Sequence, residues 1–192
     1  MQRIVFATNN QNKLKEAREI LSDFDIISGE AAGFFDEVIE DGNTFAENAL
    51  KKATAVSLFT NSIVFADDSG ICVHALDNVP GIYSARWSGE GDDANNKKLL
   101  DELEGKAERT AHFHCAIALV YPIVQVREPQ IFEAEWHGKI SNEICGNNGF
   151  GYDVVFIPNG YNVTSAELSP KEKNSISHRY KALMKLKEYL KN

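Results

Sequence analysis

RIVFATNNQNKLKEAREILSDFDIIS, residues 3–28, is the stretch that decides the fold. Ile4, Val5, Phe6 and Ala7 form an apolar run of the length of a buried strand. Leu14, Ala17 and Leu21 then recur at helical spacing, which predicts a helix over 11–22 with Asn9 or Asn10 as its cap. Another short strand fits Phe24 to Ser28. Strand, helix and strand in this order predict an α/β fold.

Outward from this unit the pattern continues. Thr44-Phe45-Ala46-Glu47 has capping-box spacing and opens a helix to about Phe59, with Phe45, Ala49, Ala53 and Val56 on one face. Ile63-Val64-Phe65-Ala66 reads as a strand ending in Asp67-Asp68-Ser69-Gly70. Pro80-Gly81 marks a turn, and Asp92 to Leu103 a helix closed by Gly105. Residues 110–121 and 130–140 alternate as two longer strands, and Tyr152 to Ile157 as another. Ser169-Pro170-Lys171-Glu172 repeats the capping box with Pro at the first helical position. The segment to Leu190 reads as one helix, or as two if Ser177 caps a separate start. With no repeat or linker in the chain, residues 1–192 are expected to form one domain.

The chain carries 28 acidic and 20 basic residues, a formal charge of −8. That balance argues against a binder of nucleic-acid polymers, whose affinity comes largely from neutralising phosphates. It leaves room for a small anionic ligand in a local cationic site. No apolar run approaches the ~20 residues of a membrane helix, and the N-terminus lacks a signal-peptide core, so the expected location is cytoplasmic. Cys72, Cys115 and Cys145 are widely spaced with no CxxC pair, which disfavours a structural zinc site or a disulfide framework.

Four stretches carry possible chemistry. Thr8, Asn9, Asn10, Gln11, Asn12 and Lys13 open the first helix, where amides and the dipole suit phosphate. The same residues also read as a plain capped helix start. Asp67-Asp68-Ser69-Gly70 can place a carboxylate to bind Mg²⁺ or accept a proton, with Glu40 or Asp41 as a second acid, or can form an acidic turn. Strand alternation sends Asp67 and Asp68 to opposite faces without choosing between them. Gly146 to Asp153 is glycine-rich, and Phe150 can stack on a base, or the stretch is a hairpin-like turn with a core Phe. Lys173, Ser177, His178 and Arg179 can meet phosphate or base oxygens, or form a solvated helix face. No second histidine lies at a spacing that would make His178 a metal ligand.

Taken together, ATNNQNK at 7–13, TFAENALKKA at 44–53, ADDSG at 66–70, PGIYSARWSGE at 80–90, FHCAIAL at 113–119, GFGYD at 149–153 and AELSPKEKNSISHR at 166–179 resemble the inosine triphosphate pyrophosphatase (dITP/XTP pyrophosphatase) family, bacterial type. The resemblance implies an elongated α/β fold with a mixed sheet, flanking helices and two lobes around a central nucleotide-binding cleft, usually as a homodimer. It implies Mg²⁺-dependent splitting of aberrant purine triphosphates (dITP, ITP, XTP) into monophosphate and pyrophosphate, with Mn²⁺ as a possible substitute.

Carried onto this chain, the resemblance has Thr8 to Lys13 cradle the triphosphate. Asp68 is the catalytic base and a metal ligand, and Glu40 the second metal ligand. Lys52 and Lys173 neutralise phosphates, with Arg86 as a second-tier candidate. Ser69, Phe150, Gly151, Tyr152 and Asp153 line the nucleoside pocket, and His178 and Arg179 read the purine 6-oxo group. The alternatives are a Maf-like pyrophosphatase for pyrimidine or modified nucleotides, and a non-catalytic nucleotide-binding protein.

Overall fold

A computed structural model describes residues 1–192. Six strands form one mixed sheet in the order β2-β1-β3-β4-β5-β6. They are β1 (Arg3–Phe6), β2 (Asp25–Ser28), β3 (Val64–Val73), β4 (Thr110–Val120), β5 (Gln130–Ile140) and β6 (Phe156–Pro158). The helices are α1 (Gln11–Ile20), α2 (Phe45–Thr60), α3 (Asp92–Glu102), α4 (Pro170–Ile176) and α5 (His178–Lys191). β1 pairs in parallel with both β2 and β3, as a β-α-β start requires. β5 and β6 are antiparallel. No helix is long and apolar enough to cross a membrane.

The chain divides into two compact units. Unit 1 comprises Met1–Asp68, Cys115–Ala134 and Arg179–Asn192; unit 2 comprises Ser69–His114 and Glu135–His178. The boundaries fall within β3, β4 and β5, so each of these strands serves both units.

Unit 1 buries Ile4, Phe6, Leu14, Leu21, Phe65, Ile117 and Leu183 in one cluster. Phe6 and Phe65 stack at 4.3 Å between ring centres across the β1–β3 pairing. Val5, Ala49, Ala53, Val56 and Val64 form a second cluster. Alternation explains the split: Val5 points to the opposite face of β1 from Ile4 and Phe6. Unit 2 has its own core, with Ile71, Leu99, Phe113, Trp136, Tyr152 and Phe156.

Two departures from the sequence expectations matter for the site. β3 does not end at Asp67; it continues through Asp68, Ser69 and Gly70 to Val73, with both aspartates buried inside it. Tyr152 to Ile157 is not one strand: Gly151–Val154 is a 3₁₀ turn, and only Phe156–Pro158 is extended. Of the two readings of the C-terminal segment, the structure takes the two-helix one. Ser177, extended at φ −67° and ψ 161°, separates them, and its amide closes α4 on the Lys173 carbonyl at 3.0 Å.

Candidate active site

The first half of the site belongs to unit 1. The loop leaving β1 turns into α1 at Asn10, whose extended backbone (φ −82°, ψ 109°) makes it the N-cap. Its Oδ1 accepts from the Asn12 and Lys13 amides at 2.9 and 3.1 Å, and Thr8 Oγ1 accepts from the Asn10 amide at 3.2 Å. The cap therefore already engages two first-turn amides. Asn9, Asn10, Gln11 and Asn12 are exposed, so their side chains are open to an anion from solvent.

Lys13, one turn into α1, reaches back to Asp67 at 3.1 Å. Arg179, the second residue of α5, donates its Nε to the same carboxylate at 3.1 Å and its Nη1 to Glu16 at 2.8 Å. Burial alone would raise the Asp67 carboxyl, but Lys13, Arg179 and Lys52 more than offset that and hold it well below the usual carboxylate range. The same acids push the guanidinium of Arg179 above its ordinary value against its own burial.

Asp68 points the other way. Its Oδ2 accepts from Asn48 Nδ2 at 3.0 Å, and Asn48 Oδ1 accepts the Gly42 amide at 2.8 Å. Asn48 is fully buried on α2, so one amide fixes both the loop after Asp41 and the rotamer of Asp68. Burial raises the Asp68 carboxyl and nearby Glu40 adds to the rise, against Lys52 and the Asn48 bond. Lys52 itself pairs with Glu40 at 2.9 Å. α2 is set for this by its cap: Thr44 Oγ1 accepts the Glu47 amide at 3.1 Å. Glu47 reaches past Thr44 and accepts the Asn43 amide at 2.7 Å.

Adjacent aspartates thus hold opposite properties. Asp67 is locked as an anion between two cations, whereas Asp68 is displaced toward the range where a carboxylate accepts a proton usefully. The donors around Asp68 and Glu40 are hard oxygens, with mutual repulsion that a divalent cation relieves. That chemistry fits Mg²⁺.

The second half belongs to unit 2. Lys173 is buried and pairs with Asp153 at 2.5 Å, its ammonium 4.7 Å from the centre of the Phe150 ring. Asp153 also accepts the Phe150 amide at 2.9 Å and the Ser165 hydroxyl at 2.8 Å. The Gly151 amide donates to Asp92 Oδ2 and its carbonyl accepts from Asn96 Nδ2, each at 2.9 Å. Tyr152 is buried, and its hydroxyl donates to the Ser84 carbonyl at 2.9 Å. Gly149 sits at φ +77°, and a Cβ there would fall 2.1 Å from Asp153 Oδ2, so only glycine fits.

His178 is buried with its ring stacked on Phe113, centroids 4.7 Å apart and planes within 6°. Ser69 is half-buried on β3. Arg86 is exposed, its guanidinium 5.2 Å from the Tyr83 ring centre.

Within unit 1 the structure brings together Lys13, Glu40, Lys52, Asp68 and Arg179; within unit 2 it brings together Phe150 to Asp153 and Lys173. Three participants escaped sequence reasoning: Asn48, Glu16 and Asp67 in its paired role. Asn48 left a signal, since a polar residue on the apolar stripe of Phe45, Ala49 and Ala53 needs a buried partner.

A mixed α/β sheet, an acidic pair with flanking lysines in unit 1 and a glycine-and-aromatic loop in unit 2 are the kinds of groups a nucleotide hydrolase uses. Known proteins make this specific. The Ham1 family profile matches residues 4–189, and the chain belongs to that family. It is 49% identical to a dITP/XTP pyrophosphatase of Desulforamulus reducens over 98% of this chain and 95% of that protein. It is 45% identical to the dITP/XTP pyrophosphatase of Bacillus subtilis over 99% and 98%. The Ham1 protein structure from Coxiella burnetii superposes with a TM-score of 0.91 at 39% identity, covering 100% of this chain and 99% of that one. The Staphylococcus aureus Ham1 protein gives 0.88 at 40% identity over 99% and 98%.

Proposed function

We propose that this chain is a dITP/XTP pyrophosphatase, hydrolysing aberrant purine nucleoside triphosphates to monophosphate and pyrophosphate and so keeping them from incorporation into DNA and RNA. The observation that carries the reading is Asp68, whose carboxylate is pinned by Asn48 and raised by burial beside Glu40. Relatives bearing that activity's name at 45–49% identity support it.

Asp68 takes a proton from water as the water oxygen attacks the α-phosphorus. The α–β bridging P–O bond breaks, and pyrophosphate leaves with the electron pair. Lys13 and Lys52, with the exposed Asn9–Asn12 segment, supply positive charge and donors to the phosphates. Asp67 orients Lys13, and Arg179 holds Asp67 by a buried ion pair, a role distinct from the 6-oxo contact implied by the resemblance. Glu40 and Asp68 would hold Mg²⁺, with Mn²⁺ suited to the same oxygens; when bound, the ion supplies further charge stabilisation for the departing pyrophosphate.

Phe150 offers a face to the base, and Ser69, Gly151 and Tyr152 line the nucleoside. Lys173 and Asp153 act by fixing that loop, a role distinct from the phosphate contact implied by the resemblance. His178, held flat by Phe113, recognises the 6-oxo group. An adenine amino group presented to donors leaves them unsatisfied, a mismatch of about 1–3 kcal/mol per buried group. A homodimer in the cytoplasm completes the reading.

A panel of dITP, ITP, XTP, ATP, GTP and pyrimidine triphosphates with pyrophosphate detection tests it. Fast release from the first three and slow release from ATP and GTP are expected. Preference for a pyrimidine, or orthophosphate as first product, contradicts it.

A further inference from the structure

All five of the chain's histidines lie in unit 2, and four of them, His74, His112, His114 and His137, cluster around Glu135. The strands explain how. On β4, Ala111 and Phe113 are buried in the core, so His112 and His114 stand on the opposite face. On the neighbouring β5, Trp136 is buried, so Glu135 and His137 stand on the side away from it. Two period-two motifs, His-x-His and Glu-x-His, thus lie on adjacent strands.

Glu135 Oε1 is 3.5 Å from His114 Nδ1 and 3.8 Å from His112 Nε2. The ligand atoms of His112, His114 and Glu135 all lie within 4.8 Å of one another. A tetrahedral ion with ligands near 2.0–2.1 Å separates them by about 3.3 Å, so small rotamer changes close the set.

Outer contacts orient both strands' groups. The other carboxylate oxygen, Oε2, is held by His137 Nε2 at 3.0 Å. His112 Nδ1 lies 3.1 Å from His74 Nε2, and His74 Nδ1 lies 2.7 Å from Thr110 Oγ1. A proton chain from His112 Nδ1 to His74 and on to Thr110 leaves the lone pair of His112 on Nε2, directed at Glu135. Such an outer hydrogen bond fixes the tautomer of metal-ligating histidines.

We propose that His112, His114 and Glu135 bind a divalent transition ion of the zinc class, with His74 and His137 as supporting residues. Two imidazole nitrogens and one carboxylate favour Zn²⁺, Co²⁺ or Ni²⁺ over Mg²⁺, which takes oxygen ligands and keeps its waters. Three protein ligands leave a position for water. The site is separate from Glu40 and Asp68 in residues and in ligand softness, and the inference does not rest on the nucleotide reading.

Calorimetric titration of the untagged, chelator-stripped full chain with Zn²⁺ alone, followed by Co²⁺ absorption spectroscopy, tests this. The expected result is one equivalent per chain, a visible Co²⁺ band of low-coordinate geometry, and no displacement by millimolar Mg²⁺. His112→Asn with His114→Asn removes the band while the circular-dichroism spectrum is kept. His74→Asn or His137→Gln alone weakens binding about 10–100-fold, a change a merely neighbouring residue would not produce. Glu40→Gln with Asp68→Asn keeps the full equivalent. Absence of stoichiometric binding, an unchanged titration in the double-histidine variant, or loss of the equivalent in the Glu40/Asp68 variant overturns the proposal.

Discussion

Units 1 and 2 each set a lysine against a buried aspartate, but on different terms. In unit 1, Asp67 is shared: Lys13 holds it with 18% of its side chain exposed, and Arg179 holds it from a buried position. In unit 2, Asp153 has a single cation, Lys173, with side-chain exposures of 3% and 7%. Lys13 can therefore turn to an incoming phosphate while Arg179 still neutralises Asp67. Lys173 cannot leave without stranding Asp153. Shared charge yields a group that can act on a ligand, and exclusive charge yields a group that fixes a loop.

The largest effect expected lies just beside this contrast. Asp68→Asn should lower kcat by about 10²–10⁴-fold, the range for a general base. Its melting temperature should hold or rise: a carboxyl raised on folding opposes folding once ionised, so the amide relieves that at neutral pH. Steady-state kinetics with a thermal melt check both halves.

Lys173→Met attacks the exclusive pair and should destabilise the fold by about 3–5 kcal/mol, because it leaves Asp153 buried and uncompensated. Urea unfolding measures it, and a variant as stable as the wild type would dissolve the contrast. Lys13→Met attacks the shared pair. It should raise KM for dITP about 10–100-fold, the value of a hydrogen bond to a charged group, with much less loss of stability.

Asn48→Ala should cost about 1–3 kcal/mol and reduce kcat, since the Gly42 amide and Asp68 lose their common partner. The smallest effect is in pH. Asp67 has a depressed carboxyl, so its stabilisation is fully present above the unfolded value near 3.8 and is lost as pH falls through the lower folded value. The melting gap between wild type and Asp67→Asn should stay level from pH 7 to about 5 and narrow below about 4.

Much of this was legible in the chain itself. The β-α-β start, the Thr44 and Ser169 caps and the long alternating strands are local patterns, and local patterns survive without partners. The course of β3 through Asp67 and Asp68 was not legible. Asp-Asp-Ser-Gly has turn chemistry by itself, and it becomes strand because Asn48, Lys13 and Arg179, 20, 54 and 112 residues away from the two acids, satisfy them. Tyr152 to Ile157 misled for a similar reason. Its alternation is real, but Asp92, Asn96 and Asp153 hold Gly151 and Phe150 in a turn. The His112–His114 pair was not read as a site from the sequence, because its meaning depends on β5 lying alongside.

Turnover of dITP in ¹⁸O-labelled water tests the central claim most directly, because the label marks the phosphorus that water attacks. Attack guided by Asp68 at the α-phosphorus places all of the label in the monophosphate and none in pyrophosphate. Label in pyrophosphate or orthophosphate would contradict the account.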